Sequence, residues 1–311
     1  MSKILVIGDA ILDRYLYGMC PRLSPEAPVP IMRVTGQIDQ AGGACNVALN
    51  ANALGIETRL LSVVGQDQAG KDLVDTLKSQ LSHFHLQQIR VQTTVKTRYV
   101  SGSHHLMRID DEETCKAEDL EDVLRYYSEY IRDASWVIFS DYGKHFQSVA
   151  GEIIRVANAE KVPIAVDPKC PFWDLYRGAD LIVPNADEYH EATLRSENAS
   201  PLDLLARHKI KGMVITEGSR GMTYWTQNPK KKKPVHRGAV AQDIMDPCGA
   251  GDTAMAALIV GKMRGLKIED CLDYANLAAG YVCQRMGTHV VSKEDVPLPA
   301  VKGMIVERKV A

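Results

Sequence analysis

Six short, nearly continuous apolar runs, each closed by Gly, Asp or Asn, limit most strongly what this chain can fold into. They read KILVIGD at the start, TRLLSVVGQD at 58–67, SWVIFSDY at 135–142, VPIAVDP at 162–168, ADLIVPN at 179–185 and KGMVITEG at 211–218. A strand with one wet face alternates, whereas a run apolar at successive positions is buried on both faces. Stretches of helical periodicity intervene at 43–54, 69–81, 118–133, 148–160, 200–208, 251–264 and 269–285. Ser200 followed by Pro201 and Asp203 is a helix start, with a capping hydroxyl and a proline in the first turn. Such alternation predicts an α/β sandwich, a mostly parallel sheet flanked by helices.

Two regions break the rhythm. Residues 14–38 and 92–110 show period-two patterning, in VPIMRV and VKTRYVSGSHHLMRID, with no helix in the expected place. They read as a small antiparallel sheet projecting from the core, a lid. With no repeat, low-complexity tract or linker, residues 1–311 are expected to form a single domain.

Charge and cysteine usage exclude several roles. A formal charge of −2 offers no field for nucleic acid or an acidic membrane. The basic run Lys230 to Lys233, between Pro229 and Pro234, reads as a loop tip. Seven cysteines without a CxxC pair suit reduced thiols rather than disulfides or a thiolate zinc site. The N-terminal apolar run is too short for a signal peptide, and no run approaches the ~20 residues of a membrane span. A soluble, cytoplasmic protein is expected.

In open parallel sheets ligands bind beyond the carboxyl ends of the strands. The polar residues there are Asp9, Asp13, Asp141, Lys144, Asp167, Lys169, Asn185, Glu188, Thr216 and Glu217. GQDQAGKD, at 65–72, matches a phosphate loop except at its last position, where Asp72 replaces the required hydroxyl and would repel phosphate. It reads as a strand-to-helix turn. DPCGAGD is different. Gly249 and Gly251 let the amides of Gly249, Ala250 and Gly251 approach a ligand closely at a helix start, a surface suited to phosphate oxygens. Asp252 would repel phosphate as a mere ligand, but makes sense as a base for the attacking hydroxyl. A capped glycine turn fits the same stretch equally well. In GGACNVALN, Gly42 and Gly43 permit close backbone approach, and Asn46 and Asn50 share one helix face. Their amides suit sugar hydroxyls, which Asp9 and Asp13 are also placed to accept from.

GGACN, NADE, TEGSRG and DPCGAGD, in that order, resemble the signatures of the ribokinase (PfkB-type) carbohydrate kinases over nearly the whole chain. GDAILDRYLYG, LSPEAPVPI and SDYGK resemble, within that family, the heptose 7-phosphate kinases. The resemblance implies a ribokinase-like, Rossmann-type core with a β-sheet lid that joins subunits into a homodimer. It implies transfer of the ATP γ-phosphoryl to the anomeric hydroxyl of D-glycero-D-manno-heptose 7-phosphate. The product is the 1,7-bisphosphate, a precursor of ADP-heptose and lipopolysaccharide core. Asp252 would be the base, with the 249–251 amides as anion hole. Asp13, Gly42, Gly43 and Asn46 would hold the sugar, with Asp141 on the same side. Lys144, Lys169, Arg98 and Arg108 are the candidates for the seven-position phosphate. Asn185 and Glu188 would organise Mg2+ and the ATP phosphates, and Thr216, Gly218, Gly221 and Asn276 would line the nucleotide side. Asp246 and the region of Gly287 match a monovalent-cation site, K+ in kind.

Departures from the pattern are Cys248 for the usual threonine, Cys45 for alanine, and His145 for glycine after SDYGK. They keep open a kinase for another sugar, nucleoside or sugar phosphate, and a catalytically silent sugar or nucleotide sensor. An NAD-dependent oxidoreductase is disfavoured by the lack of GxGxxG after the first strand. The chain ends soon after GTHVVS, so the nucleotidyltransferase of bifunctional relatives is expected to be absent.

Overall fold

A computed structural model describes residues 3–102, 104–228, 233–240 and 244–298. The apolar runs become the middle of a nine-stranded sheet. In chain order the strands are β1 (Lys3–Gly8), β2 (Ala10–Leu23), β3 (Pro30–Gly43), β4 (Glu57–Gly65), β5 (Phe84–Ile89), β6 (Val95–Ser101), β7 (His104–Asp111), β8 (Trp136–Ser140), β9 (Ile164–Asp167), β10 (Leu181–Ile182), β11 (Gly212–Thr216), β12 (Met222–Thr226) and β13 (Val235–Arg237). The helices are α1 (Ala44–Ala53), α2 (Gln68–Lys78), α3 (Glu121–Tyr130), α4 (Ala150–Ala159), α5 (Ala186–Arg195), α6 (Pro201–Arg207), α7 (Ala250–Met263) and α8 (Ile268–Cys283). The large sheet runs β13-β12-β11-β10-β9-β8-β1-β4-β5, parallel from β5 to β11 and antiparallel at β12 and β13.

Successive side chains of a strand face opposite ways, so one buried strand feeds two cores. Ile4 and Val6 of β1 join the layer of α1, α2, α7 and α8, while Leu5 and Ile7 join that of α3, α4 and α6. Helix α7 is buried along ten of its residues, as a helix apolar on nearly every face must be. No helix among the described residues is long and apolar enough to cross a membrane.

The second sheet has four strands in the order β3-β2-β6-β7. Its boundaries are wider than the expected 14–38 and 92–110, because β2 starts at Ala10 and β3 runs to Gly43. It is also not purely antiparallel: β2 and β6 pair in parallel, Asp13 opposite Lys96 and Tyr15 opposite Arg98. Helix α5 and strands β5, β12 and β13 were absent from the sequence expectation. Residues 230–232 of the basic run lie outside the described residues.

Candidate active site

Helix α7 begins where the chain turns left-handed at Gly249, φ 77°. A β-carbon there would come 2.7 Å from Asn46 Nδ2, so only glycine fits. At Gly251 a β-carbon would meet nothing within 4 Å: its backbone borders open space. The Ala250 amide donates to Pro247 O at 3.2 Å, so the expected cradle of three free amides narrows to Gly249 and Gly251. Two adjoining cavities share Gly251, Asn185 and Thr216, one of about 190 Å³ and one of about 500 Å³.

Asp252, 3% exposed, lies in the first turn of α7. Its Oδ2 accepts from Asn46 Nδ2 at 2.9 Å and its Oδ1 from Tyr142 Oη at 2.7 Å. Burial pushes its carboxyl up to about 6, opposed by those two donors and by the charge of Lys96. A group that binds protons near neutrality is suited to general base work. Asn46 thus holds the carboxylate through Nδ2, while its Oδ1 accepts from Asn50 at 2.9 Å. Asp9 is turned toward the loop after β8. It is wholly buried, and its two oxygens accept the amides of Tyr142, Lys144, His145 and Phe146 at 2.8–3.3 Å.

Asp13 and Arg98 form a buried ion pair, Nη1 to Oδ1 2.5 Å. Arg98 thus supports Asp13 instead of standing free for a phosphate. Burial raises the Asp13 carboxyl despite Arg98 and Lys96. A β-carbon on Gly42 would lie 2.0 Å from Asp13 Oδ2. Gly42→Ala must therefore displace the aspartate. We expect acceptor KM to rise roughly tenfold or more, since displacements of about 1 Å can cost that much, with ATP KM unchanged in steady-state assays.

The remaining expected cations fare differently. Arg108 is exposed on β7 and forks onto Asp110 at 2.7 and 3.0 Å. Lys144 pairs with Glu112 at 2.6 Å, and Lys169 with Glu188 at 3.1 Å. Only Lys169 of these lines the smaller cavity, together with Asp141, Asp167 and Glu188. Asp141 is buried and accepts from Tyr176 Oη at 2.5 Å and Gly143 N at 2.7 Å. Burial, with Asp9 nearby, pushes it up to about 6. Asp167 is raised by burial and by Glu188, Asp252 and Asp141.

Asn185 and Glu188 cap α5 reciprocally, each side chain accepting the other's amide at 2.9 Å. Asn185, Thr216, Gly218, Gly221, Gly251 and Asn276 all border the larger cavity. Gly221, φ 96°, has no room for a β-carbon, which would lie 2.0 Å from Arg237 O. Asn276 Nδ2 donates to that same carbonyl at 3.2 Å. Asp246 joins the loop to Gly287, accepting from Cys248 N and Gly287 N at 3.0 Å each. Of the departures, Cys45 and His145 are buried away from both cavities, and burial pushes the Cys248 thiol up to about 11.

Two residues escaped the sequence reading. Lys96 is half-buried, its charge disfavoured by burial, and its Nζ lies 5.0 Å over the Tyr142 ring. It has no ion pair among the described residues. Lys96 and Arg98 alternate on one strand face, so period two would have found it. Tyr142 stood inside SDYGK, where only the charged neighbours drew attention.

The model of the pfkB family of carbohydrate kinases matches residues 1–295. The chain belongs to that family. As a pfkB carbohydrate kinase it is a phosphotransferase acting on a hydroxyl. Its relatives include the bifunctional protein HldE of Haemophilus influenzae strain PittEE, 35% identical over 94% of this chain and 62% of that protein. HldE of Caulobacter sp. strain K31 is 37% identical over 95% of this chain and 62% of that protein. The chain thus spans under two thirds of the length of these curated relatives. Among solved structures it is similar to Arabidopsis thaliana ribokinase complexed with ribose and ATP, TM-score 0.71, 20% identity, covering 96% of each chain. It is also similar to phosphofructokinase-2 of Escherichia coli in complex with potassium, TM-score 0.76, 16% identity, covering 95% and 97%. At such identities the pfkB kinases share the fold with this chain.

Proposed function

We propose that this pfkB kinase transfers the γ-phosphoryl of ATP to the anomeric hydroxyl of D-glycero-D-manno-heptose 7-phosphate. The observation that carries the reading is a buried carboxylate, Asp252, at a bare helix start where two cavities meet. The acceptor hydroxyl gives its proton to Asp252 as its oxygen bonds to the γ-phosphorus. The bond from that phosphorus to the bridging oxygen breaks, and the electron pair leaves on ADP. The Gly249 and Gly251 amides and the N-terminal dipole of α7 oppose the charge on the moving phosphoryl group. Asp13, held by Arg98, orients the sugar, and Lys96 adds a cation on the acceptor side.

Among the described residues no three His, Cys, Asp or Glu side chains converge as a metal cage. Asp141, Asp167 and Glu188 line the smaller cavity, which suits Mg2+, an ion that keeps waters and binds through one or two carboxylates plus substrate phosphates. Glu188, beside Lys169, would meet it indirectly, and bound Mg2+ would neutralise phosphate charge. Asp246 accepts one backbone amide on each oxygen, with His105 Nε2 3.7 Å from Oδ2, and a carboxylate oxygen has more than one acceptor site, which suits a monovalent cation such as K+. The heptose phosphate is favoured by the motifs LSPEAPVPI and SDYGK and by the HldE relatives. The test is ADP release with heptose 7-phosphate beside the same sugar without phosphate, ribose and a nucleoside. Phosphorus NMR of the product locates the new ester. Preference for an unphosphorylated sugar would replace the substrate, and no ADP release from any acceptor would favour the sensor reading.

The second sheet acts in this reading as a lid that excludes water from the transfer. It also leaves Met19, Val34, Leu106 and Met107 each over 40% exposed. Uncovered apolar side chains in such number mark an interface, and a symmetric pair of copies would cover them. Light scattering should report a homodimer for the native chain and a monomer for Val34→Glu with Met107→Glu. A native monomer at micromolar concentration would reject the interface.

A further inference from the structure

Among the described residues the hydroxyl of Tyr142 makes one hydrogen bond, to Asp252 Oδ1 at 2.7 Å. The residue is pinned at both ends. Its amide donates to buried Asp9 at 2.8 Å, and its ring carries the Lys96 ammonium at 5.0 Å. Asn46 holds the other carboxylate oxygen, so the plane of Asp252 is set from two independent layers, α1 and the loop after β8. A carboxylate oxygen has two acceptor sites, and one per oxygen stays available to an incoming hydroxyl.

We infer that Tyr142 is a positioning residue for the transfer, its hydroxyl orienting the Asp252 carboxylate and holding it in the ionised, proton-accepting form. The inference rests on the kinase reading of the same site. A donor to the charged form favours that form, so removing it makes the carboxylate easier to protonate. The other groups facing Asp252 are Asn46 and Cys45 from α1, Asp13 from β2, Lys96 from β6 and Asp167 at the end of β9. Asn46 and Lys96 act in the same direction as Tyr142, and Asp13 acts against them. None of them can replace a phenol at 2.7 Å.

Tyr142→Phe keeps the ring and its contact with Lys96 and deletes only the donor. In the native enzyme the acid limb of kcat/KM against pH is expected near 6, the value to which burial brings Asp252 in the free chain. In the variant that limb moves up by on the order of one pH unit, as loss of a bond to a charged group would require. The acceptor kcat/KM then drops about fivefold at pH 6 and less than twofold at pH 8, with ATP KM unchanged. Carbon-13 NMR titration of the Asp252 carboxyl reads the same displacement without any substrate, so it stands even if no acceptor is turned over. Thermal melting shows that the variant is folded, and Asn46→Ala, which removes the other donor, should move the limb the same way. An unmoved carboxyl titration in folded Tyr142→Phe overturns the inference, as does a loss of kcat/KM equal at every pH.

Discussion

Asp252→Asn is expected to keep the fold and both substrates' binding while losing roughly 10²–10⁴ in kcat, the range of general base removal. The amide is nearly the same size and keeps Oδ1 to accept from Tyr142. It has no basic lone pair for the acceptor's proton, and its new NH2 faces the Asn46 donor at 2.9 Å. Calorimetric titration with a non-hydrolysable ATP analogue should give native affinity, and ADP release should be nearly abolished. Native turnover in this variant would remove Asp252 from the chemistry.

Arg98→Met is expected to have the largest effect on stability. It leaves Asp13 buried without its counter-charge, a loss typically of about 3–5 kcal/mol. Lys96, opposite Asp13 in the strand register, offsets part of it. The pH dependence has a definite sign. Asp13 already binds its proton more readily folded than unfolded, and losing the cation carries its titration higher still. The deficit is therefore smaller toward acid pH, where Asp13 takes up its proton, and grows as pH rises through the raised folded value. Urea denaturation of native and variant chains at pH 4.5 and pH 8 measures the difference directly. A deficit equal at both pH values would show that the pair's charge is not what Arg98 supplies.

Much of this architecture could be read without coordinates because buried parallel strands carry their signal in every residue. β1, β8, β9, β10 and β11 fall within their apolar runs, and β4 starts one residue before its own. The lost elements are those whose pattern is ambiguous. β5 and β13 are the edge strands of the large sheet and β12, beside that edge, buries only Met222; α5 was hidden because its NADE start reads as ligand chemistry while it also caps the helix. Within the site, glycines were legible because a missing side chain is itself a message: Gly42, Gly221 and Gly249 each sit where a β-carbon would collide. Polar pairings across the fold were not. Asn46 and Asp252 are 206 residues apart, and nothing local says that the asparagine serves the aspartate. The same holds for Arg98 and Asp13, whose union becomes evident only once β2 and β6 lie side by side.

The route of the chain around Gly43 ties the shape of the molecule to its chemistry. β3 ends at Gly43 and α1 starts at the next residue, whose amide is clamped to Asp9 O at 2.9 Å. Asn46 follows within one helical turn, and it grips the proton acceptor. The projecting sheet and that acceptor are thus joined through a few residues of rigid backbone with no slack between them. Whatever angle the sheet takes over a guest is delivered to the carboxylate as a change of aim.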